Sequence, residues 1–282
     1  MKYLLLVSDI AGITAQNIFS KQYDLKCKKQ NVFIFTAVLS FFAMLFFVIS
    51  SGGKLNFNAE FLLYSIGFGI AYGAATAGQV YAIKTGSLSI SMLIMSYSLI
   101  IPTMYGIAFL KEPVRMSTYI GIALLMISLF MVNMKKEDAK FSLVWIMWLI
   151  ISFVGNGMCS TVQKMQQLHF DGAYKSEFMI AALAVVIVIS LVIGFLQPGN
   201  KKEEFVGCLK YAPISGIANG IVNLLTMVLT AVIPNAVLFP SLSAGGIVLT
   251  FIISLAIYKE KLTKMQIIGY VVGTASVIIL SL

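Results

Sequence analysis

The amino-acid sequence predicts an all-α integral membrane protein with ten transmembrane helices, arranged as two inverted repeats of five. Three features support this prediction: the composition, the length of the apolar segments and an internal repeat. Of the 282 residues, 59% are hydrophobic and only 11% are charged, and the mean hydropathy is +0.94. Soluble proteins carry about 25% charged residues. Too few polar side chains are left to cover a surface in water, which excludes soluble enzymes, nucleic-acid-binding modules and secreted disulfide scaffolds.

Ten apolar segments are long enough to form spanning helices, since a helix needs roughly 20 residues to cross ~30 Å of hydrocarbon. The first five lie near residues 3–22, 31–50, 60–83, 87–110 and 114–133. The second five lie near residues 142–163, 176–196, 208–232, 236–258 and 265–282. The first segment follows Lys2, as in a secretory signal, but Asp9, Gln16 and Asn17 interrupt it and no small-x-small cleavage site follows. We interpret it as a retained helix.

The two sets of segments repeat one another, with offsets that change slightly along the chain. The clearest match is Lys111-Glu112, Gly121 and Ser128, which recur as Lys259-Glu260, Gly269 and Ser276 at an offset of 148. Shorter matches, at offsets of 147 and 143, are Gly69/Gly73 with Gly216/Gly220 and Gly12/Lys21 with Gly155/Lys164. The first repeat therefore covers residues 1–140 and the second 141–282. Because each repeat has five spans, the second enters the membrane inverted, a recurring plan of secondary transporters.

The ends of both repeats resemble a known family of transporters. The first match runs from Ser87 to Val132 and includes Pro102, the turn Phe109-Leu-Lys-Glu112 and Gly121. The second runs from Asn235 to Leu282 and includes Tyr258-Lys-Glu260 and Gly269. On these residues the chain resembles the EamA-type, ten-helix branch of the drug/metabolite transporter superfamily over essentially its whole length. The resemblance implies a secondary transporter of small metabolites, often an exporter of amino acids or related compounds. It does not define the substrate, because the superfamily also handles sugars, nucleotide sugars and drugs.

Polar side chains in two corresponding spans are the best candidates for the lining of a central cavity, because polar groups are costly inside a membrane. In the third span these are Tyr72, Thr76 and Gln79, which share one helical face. Their counterparts in the eighth span are Asn219, Asn223 and Thr226, and Thr230 extends that face. In inverted repeats the two faces would converge at the repeat interface. The alternative is that these groups only join helices through hydrogen bonds.

The first span adds a second polar face, which contains Asp9, Gly12 and Gln16. Asp9 is the only acid well inside a predicted span, about 10 Å from Lys2 at 1.5 Å per residue. Such a carboxylate could exchange a coupling proton or pair with a substrate ammonium group. Alternatively, the helix starts late and Asp9 lies at the level of the headgroups. We predict Gln16 as a further substrate-binding residue, ahead of Asn156 and Gln163 in the sixth span.

Several other motifs have structural explanations. The Gly69/Gly73 and Gly216/Gly220 pairs fit GxxxG, which we expect to serve close packing within the monomer rather than dimerisation. Glu112 and Glu260 each precede a predicted helix, where a carboxylate favours the positive end of the helix dipole. Thr263 and Gln266 fit a capping box for the last helix. Pro102 should kink the fourth span.

The predicted spans carry little fixed charge, so the cavity should be nearly neutral. We therefore expect a neutral, zwitterionic or amphiphilic substrate rather than a multiply anionic one. The alternative function is an integral-membrane enzyme that acts on a lipid intermediate, but such enzymes usually cluster His, Asp or Arg at one membrane face, and the single histidine, His169, argues against it. A channel would need a charged ring or a filter segment, and neither is visible. We predict no catalytic residues.

The net charge of +9 lies mostly in short loops, where anionic lipids favour Lys and Arg, so it indicates lipid contact rather than nucleic-acid binding. The cysteines are scattered without metal-site or CxxC spacing, so we expect no metal, cofactor or disulfide framework. The N-terminus and the even-numbered loops hold six Lys and Arg, Lys164 among them, and the odd-numbered loops hold fourteen. This bias predicts that both termini lie outside the cytoplasm. The family is usually drawn with both termini inside, so the orientation in the membrane stays open. We expect a multi-pass protein of the plasma membrane (in bacteria the inner membrane), a monomer or homodimer.

Overall fold

A computed structural model describes residues 2–27, 30–56, 58–86, 88–133, 142–256 and 263–281. These residues form helices joined by short turns, and no strand occurs among them. The helices are α1 (Lys2–Lys26), α2 (Val32–Ser50), α3 (Ala59–Thr85), α4 (Leu88–Ser96), α5 (Ile100–Ala108), α6 (Met116–Asn133), α7 (Leu143–His169), α8 (Lys175–Leu196), α9 (Lys201–Cys208), α10 (Ala212–Thr230), α11 (Asn235–Ala256) and α12 (Lys264–Ser281). The all-helical fold class is thus confirmed over the described part of the chain.

Six helical segments in the described part of the chain are long and apolar enough to cross a membrane. They are Val32–Ser50, Ala59–Thr85, Ser91–Ala108, Leu143–His169, Lys175–Leu196 and Ala212–Thr230. Two shorter apolar helices, Met116–Val132 and Lys264–Leu280, lie where the fifth and tenth spans are predicted. Helices also lie at the positions of the first and ninth predicted spans. The number of ten spans remains a prediction.

The fourth predicted span changes its helix type at its centre. A 3-10 turn at Tyr97–Leu99 separates α4 from α5, and Pro102 lies in the first turn of α5. Proline has no N–H, so the carbonyl of Ser98, four residues earlier, loses its helical donor. The Ser98 hydroxyl accepts a hydrogen bond from Asn156 Nδ2 at 2.6 Å. The change of helix type therefore lies next to Pro102, and the kink remains a prediction.

The chain folds into two compact units, and each contains segments from both sequence halves. Unit 1 comprises Tyr3–Thr76 and Val162–Ala231, and unit 2 comprises Ala77–Thr161 and Val232–Leu282. Two of the boundaries between the units lie inside α3 and α7, and the third lies just after α10. These units differ from the predicted division at residue 140, which describes repetition of sequence rather than compactness. That division remains a prediction.

In unit 1, α10 packs closely on α2 because glycines remove the side chains between them. A Cβ atom on Gly216 would clash with the carbonyl oxygen of Leu39 and would lie 2.8 Å from Cβ of Phe42. One turn later, a Cβ atom on Gly220 would lie 2.6 Å from Cδ1 of Phe46. The second glycine pair thus serves packing inside one chain.

The first glycine pair makes the equivalent contact between α3 and α8 in the same unit. A Cβ atom on Gly69 would lie 2.5 Å from Cγ1 of Val185, and one on Gly73 would lie 2.9 Å from Cγ2 of Ile189. Val185 and Ile189 follow Phe42 and Phe46 by 143 residues, which is also the repeat offset of the first span. Equivalent glycines therefore pack on equivalent side chains.

In unit 2, α6 and α12 exchange the same contacts. Ser128 Oγ donates to the carbonyl oxygen of Gly269 at 2.7 Å, and Ser276 Oγ donates to that of Gly121 at 2.8 Å. Within each pair, the early part of one helix meets the late part of the other, so the helices are antiparallel. Each contact from α6 to α12 thus has a matching contact from α12 to α6, which is the pattern that an approximate two-fold axis produces. The same exchange relates the tight contacts of Gly121 with Leu280 and of Gly269 with Val132.

Glu112 has a structural role, but at a different helix from the expected one. The sequence places it before α6, whereas its Oε2 atom accepts a hydrogen bond from the backbone N–H of Ala236 at 3.3 Å, at the start of α11. A carboxylate there still meets the positive end of a helix dipole. Glu260, its counterpart, lies outside the described residues. The capping box of α12 is confirmed, since Gln266 N donates to Thr263 Oγ1 at 3.2 Å and Thr263 N to Gln266 Oε1 at 3.0 Å.

Candidate functional site

The candidate site lies in unit 1 and begins with a buried carboxylate on α1. Asp9 is 0% exposed, and its Oδ2 atom accepts a hydrogen bond from Thr226 Oγ1 of α10 at 2.9 Å. Its Oδ1 atom has no hydrogen-bond partner. One turn along α1, a Cβ atom on Gly12 would lie 2.8 Å from Cγ2 of Val222, so this glycine lets α1 and α10 approach. The carboxylate is thus enclosed by protein, and only one of its two oxygen atoms accepts a hydrogen bond.

A chain of four side-chain amides crosses three helices beside Asp9. Gln163 of α7 donates from Nε2 to Asn223 Oδ1 at 2.7 Å. Asn223 donates from Nδ2 to Asn219 Oδ1 at 3.0 Å, and Asn219 donates from Nδ2 to Gln16 Oε1 of α1 at 3.2 Å. Each amide therefore donates to the next, in the direction from α7 to α1. Amides can both donate and accept, so this chain can hydrogen-bond a polar solute without carrying charge.

The last turns of α7 contribute polar groups that the sequence analysis missed. Lys164, counted there as a loop residue, lies inside α7 and is only 6% exposed. Its Nζ atom donates at 2.6 Å to the carbonyl oxygen of Thr230, the last residue of α10. A cation there satisfies a carbonyl at the negative end of a helix dipole. Gln166 and Gln167 are also buried. The sequence signal for this cluster is the polar run Gln163-Lys-Met-Gln-Gln167. It is recognisable only when α7 is known to continue to His169, beyond the predicted end of the sixth span at residue 163.

The predicted polar face of α3 is divided between the units. Tyr72 and Thr76 are partly buried residues of unit 1, whereas Gln79 belongs to unit 2 and is exposed. The Gln79 Nε2 atom lies 3.8 Å from Sδ of Met92. Convergence of this face with that of α10 remains a prediction. Asn156 likewise hydrogen-bonds in unit 2 through Ser98, whereas Gln163 hydrogen-bonds in unit 1.

The electrostatics of the described cluster are balanced. Asp9 supplies one formal negative charge and Lys164 one formal positive charge, and both are buried near the second half of α10. The other members, which are Gln16, Gln163, Asn219, Asn223 and Thr226, are neutral. Such a site suits a solute without net charge. Among the described residues, no group of three or more His, Cys, Asp or Glu is placed to hold a metal ion.

Unit 2 contains an open cavity of about 400 Å³ between α5 and α7. Its walls are almost entirely apolar and include Ile101, Met104, Phe109 and Phe153. Two of its lining residues, Tyr105 and Thr161, carry hydroxyl groups, and that of Thr161 donates to the carbonyl oxygen of Gly157 at 3.0 Å within α7. Ligand sites normally place a few polar groups among apolar walls. The walls of this cavity are almost entirely apolar, so the cluster in unit 1 is the better candidate.

The fold has counterparts among solved structures. No family model and no curated protein matches the chain. Among solved structures, 28 chains match. One of them, a crystal structure, aligns over 100% of this chain and 98% of its own length, with a TM-score of 0.78 and 11% sequence identity. At this identity the likeness concerns the fold alone. Over its described residues the protein is thus all-helical with six candidate membrane spans, and its fold recurs over the full length of the chain in a solved structure.

Proposed function

We propose that the protein is a secondary transporter that moves a small neutral or zwitterionic metabolite across the plasma membrane by alternating access. The observation that carries the proposal is the buried cluster of Asp9, Thr226 and the amide chain on helices α1, α7 and α10. Two of these helices, α7 and α10, are candidate membrane spans. Buried polar groups in such helices are costly and usually mark a pathway for solutes or ions.

The architecture supports alternating access. Residues related by the sequence repeat make exchanged contacts, between α6 and α12 and between the glycine pairs and their partners. An approximate two-fold axis that relates antiparallel helices is the symmetry expected of inverted repeats. The same contacts support the predicted ten spans and the resemblance to EamA-type transporters, which share this plan.

A comparison between the repeats supports a functional role for Asp9. At the offset of 143, its counterpart in α7 is Ser152, which is buried in unit 2. A Cβ atom on Gly78 would lie 2.6 Å from the backbone nitrogen of Ser152, so the counterpart position is also tightly packed. The scaffold thus folds with a small neutral side chain at one of the two equivalent positions. Packing alone gives no reason for a carboxylate at the other, and we assign Asp9 to coupling.

The substrate class follows from the groups available. The amide chain offers donors and acceptors, and Asp9 and Lys164 together carry no net charge. For a multiply anionic solute the site offers one ammonium group, that of Lys164, and the carboxylate of Asp9 opposes its attraction. We assign substrate binding to the amides and Thr226, with Tyr72, Thr76 and Gln79 of α3 as further lining residues.

The proposal is tested by uptake and counterflow in proteoliposomes, with a mixture of labelled amino acids and small metabolites. Asn223→Ala should reduce saturable flux at least tenfold, because it removes the central link of the amide chain. Asp9→Asn should abolish the response to a pH gradient but retain counterflow. Thr14→Ala is the matched control, since Thr14 is a buried residue of α1 whose hydroxyl donates only to Ile10 O of its own helix.

Three outcomes would contradict parts of the proposal. Flux unchanged in both Asn223→Ala and Asp9→Asn would remove the site assignment but leave the transporter. Tight binding of a phosphorylated metabolite, without binding of neutral amino acids, would overturn the substrate class. If folded protein moved no solute at all, the transporter proposal would fail and an enzyme acting on a lipid intermediate would become the better hypothesis.

A further inference from the structure

The short helix α9 lies at a membrane face for reasons of connectivity. It follows α8 after four residues and precedes α10 after three, and both neighbours are candidate membrane spans. Because these two connections are short, α9 must lie close to the end of α8 and the start of α10. Its eight residues are too few to cross the hydrocarbon core.

One of the two acids of α9 faces the protein, and the other, Glu203, is exposed. Glu204 is buried, and its Oε2 atom accepts hydrogen bonds from Asn31 Nδ2 at 3.0 Å and from Lys201 Nζ at 3.3 Å. Asn31 also caps α2, because its Oδ1 atom accepts from the backbone N–H of Phe33 at 3.2 Å. Cys208, one turn after Glu204, is fully buried against Tyr23 of α1. These contacts fix which face of α9 points outward.

The outward face is apolar and basic. Phe205, Val206 and Leu209 are 46%, 61% and 45% exposed, and Lys202 lies among them on the same face. Lys210 follows, with Nζ 5.8 Å from the centre of the Tyr211 ring. A helix that rested in water would bury its apolar side chains, whereas α9 exposes them and buries Glu204. Exposed aromatic and aliphatic side chains beside lysines are typical of helices that lie in the membrane interface.

The charge around α9 favours an anionic neighbour. Lys26 at the end of α1 is exposed and close to α9, because Sγ of the adjacent Cys27 donates to the carbonyl oxygen of Gly207 at 3.5 Å. The exposed acid of α9, Glu203, accepts a hydrogen bond from Asn200 Nδ2 at 2.7 Å. The other acid, Glu204, is buried. In the described residues around α9, lysines therefore outnumber accessible carboxylates.

We propose that the outward face of α9 is a docking site for an anionic phospholipid of the bilayer, with Phe205 and Leu209 among the acyl chains and Lys202 and Lys210 at the phosphate. Lysines near a membrane surface each strengthen contact with anionic lipid severalfold. The apolar side chains select a lipid rather than a soluble phosphate, which would leave them in water. The proposal does not depend on the transport function.

The test uses the purified full-length protein in detergent. Its thermal midpoint is measured during titration with phosphatidylglycerol, with phosphatidylcholine and with inorganic phosphate, and retained lipid is counted by native mass spectrometry. Two variants are compared: Lys202→Gln/Lys210→Gln, and Lys54→Gln as the matched control. Lys54 is an exposed lysine beyond the opposite end of α2. All three lysines are exposed, so the variants should fold.

We expect phosphatidylglycerol to raise the thermal midpoint and to be retained, and the paired variant to bind it about 30-fold more weakly. Lys54→Gln should bind as the wild type does. Equal effects of the two lipids would overturn the proposal, as would equal losses in the two variants. Stabilisation by inorganic phosphate alone would show an ion site instead, and a concentration-dependent dimer that α9 substitutions abolish would show a protein contact.

Discussion

Among single residues, Asp9 has a high free-energy cost of burial and an incomplete set of hydrogen-bond partners. Removing a carboxylate from water is strongly unfavourable, and the effective penalty in proteins is several kcal/mol. Asp9 receives one hydrogen bond, from Thr226, and its Oδ1 atom receives none. Removing the carboxylate relieves this desolvation penalty, which offsets the loss of its single hydrogen bond. A residue of this kind is retained for what it binds rather than for the fold.

This argument predicts opposite effects of substitutions at the two ends of one hydrogen bond. Thr226→Val should lower the free energy of unfolding by about 1.5–3 kcal/mol, because it leaves a buried carboxylate without its donor. Asp9→Ala should be neutral or stabilising, yet should abolish coupled transport. In the Asp9→Ala background, Thr226→Val should cost under about 1 kcal/mol. The measurement is reversible unfolding in mixed micelles, with Thr14→Val as control. Equal costs of Thr226→Val in both backgrounds would refute the coupling between the two residues.

At the scale of helices, the glycine contacts determine how closely pairs of helices pack. The backbone of α2 lies so near Gly216 that a methyl group would meet the Leu39 carbonyl oxygen, which cannot move without the helix. By contrast, Gly67 of α3 has nothing within 4 Å of the position of a Cβ atom. The same residue type in two helices of one unit therefore has opposite consequences.

The prediction at this scale is a sign reversal between two identical substitutions. Gly216→Ala should destabilise by at least about 1–3 kcal/mol, the usual cost of overpacking, because α2 and α10 must separate. Gly67→Ala should stabilise by roughly 0.5–1 kcal/mol, since alanine is the better helix former. The thermal midpoints of both variants, measured in the same detergent, decide the matter. Destabilisation by both would mean that helix packing does not explain the glycines.

The helices also show what the sequence can and cannot predict. Each of the ten apolar segments coincides with helical structure, because spanning a membrane requires long apolar runs and these are visible in one dimension. Helix α9 lies between two predicted spans and is not predicted as a helix, because its eight residues contain no long apolar run. The sequence predicts a loop position for Lys164, because only its contact with the end of α10 explains why a lysine is buried there. The sequence predicts Asp9 and the amides as site residues because polar groups are costly inside a membrane. It does not predict the hydrogen bonds between them, which depend on which helices are neighbours.

At the scale of the molecule, the central question is whether the halves are inverted. Within unit 1, α9 contacts the start of α2 through Asn31 and Glu204, and the segment after the end of α2 contacts the start of α8 through the backbone N–H of Asn56 and Glu177 Oε1 at 3.0 Å. The connection after the second span and the connection after the seventh therefore lie at opposite ends of α2. These connections are counterparts in the two repeats. Because α2 is a candidate span, they should face opposite sides of the membrane.

Single cysteines at Lys54 and Lys202 test this directly. Both lysines are exposed and lie in the counterpart connections. In a background with Cys27, Cys159 and Cys208 replaced by serine, a membrane-impermeant maleimide should label one of the two positions in intact cells and the other only after permeabilisation. The greater number of Lys and Arg in odd-numbered loops predicts that position 202 is cytoplasmic. Labelling of position 202 from outside would reverse that orientation but preserve the inversion. Labelling of both positions from the same side would rule out inverted five-span repeats, and with them the symmetry on which alternating access is proposed.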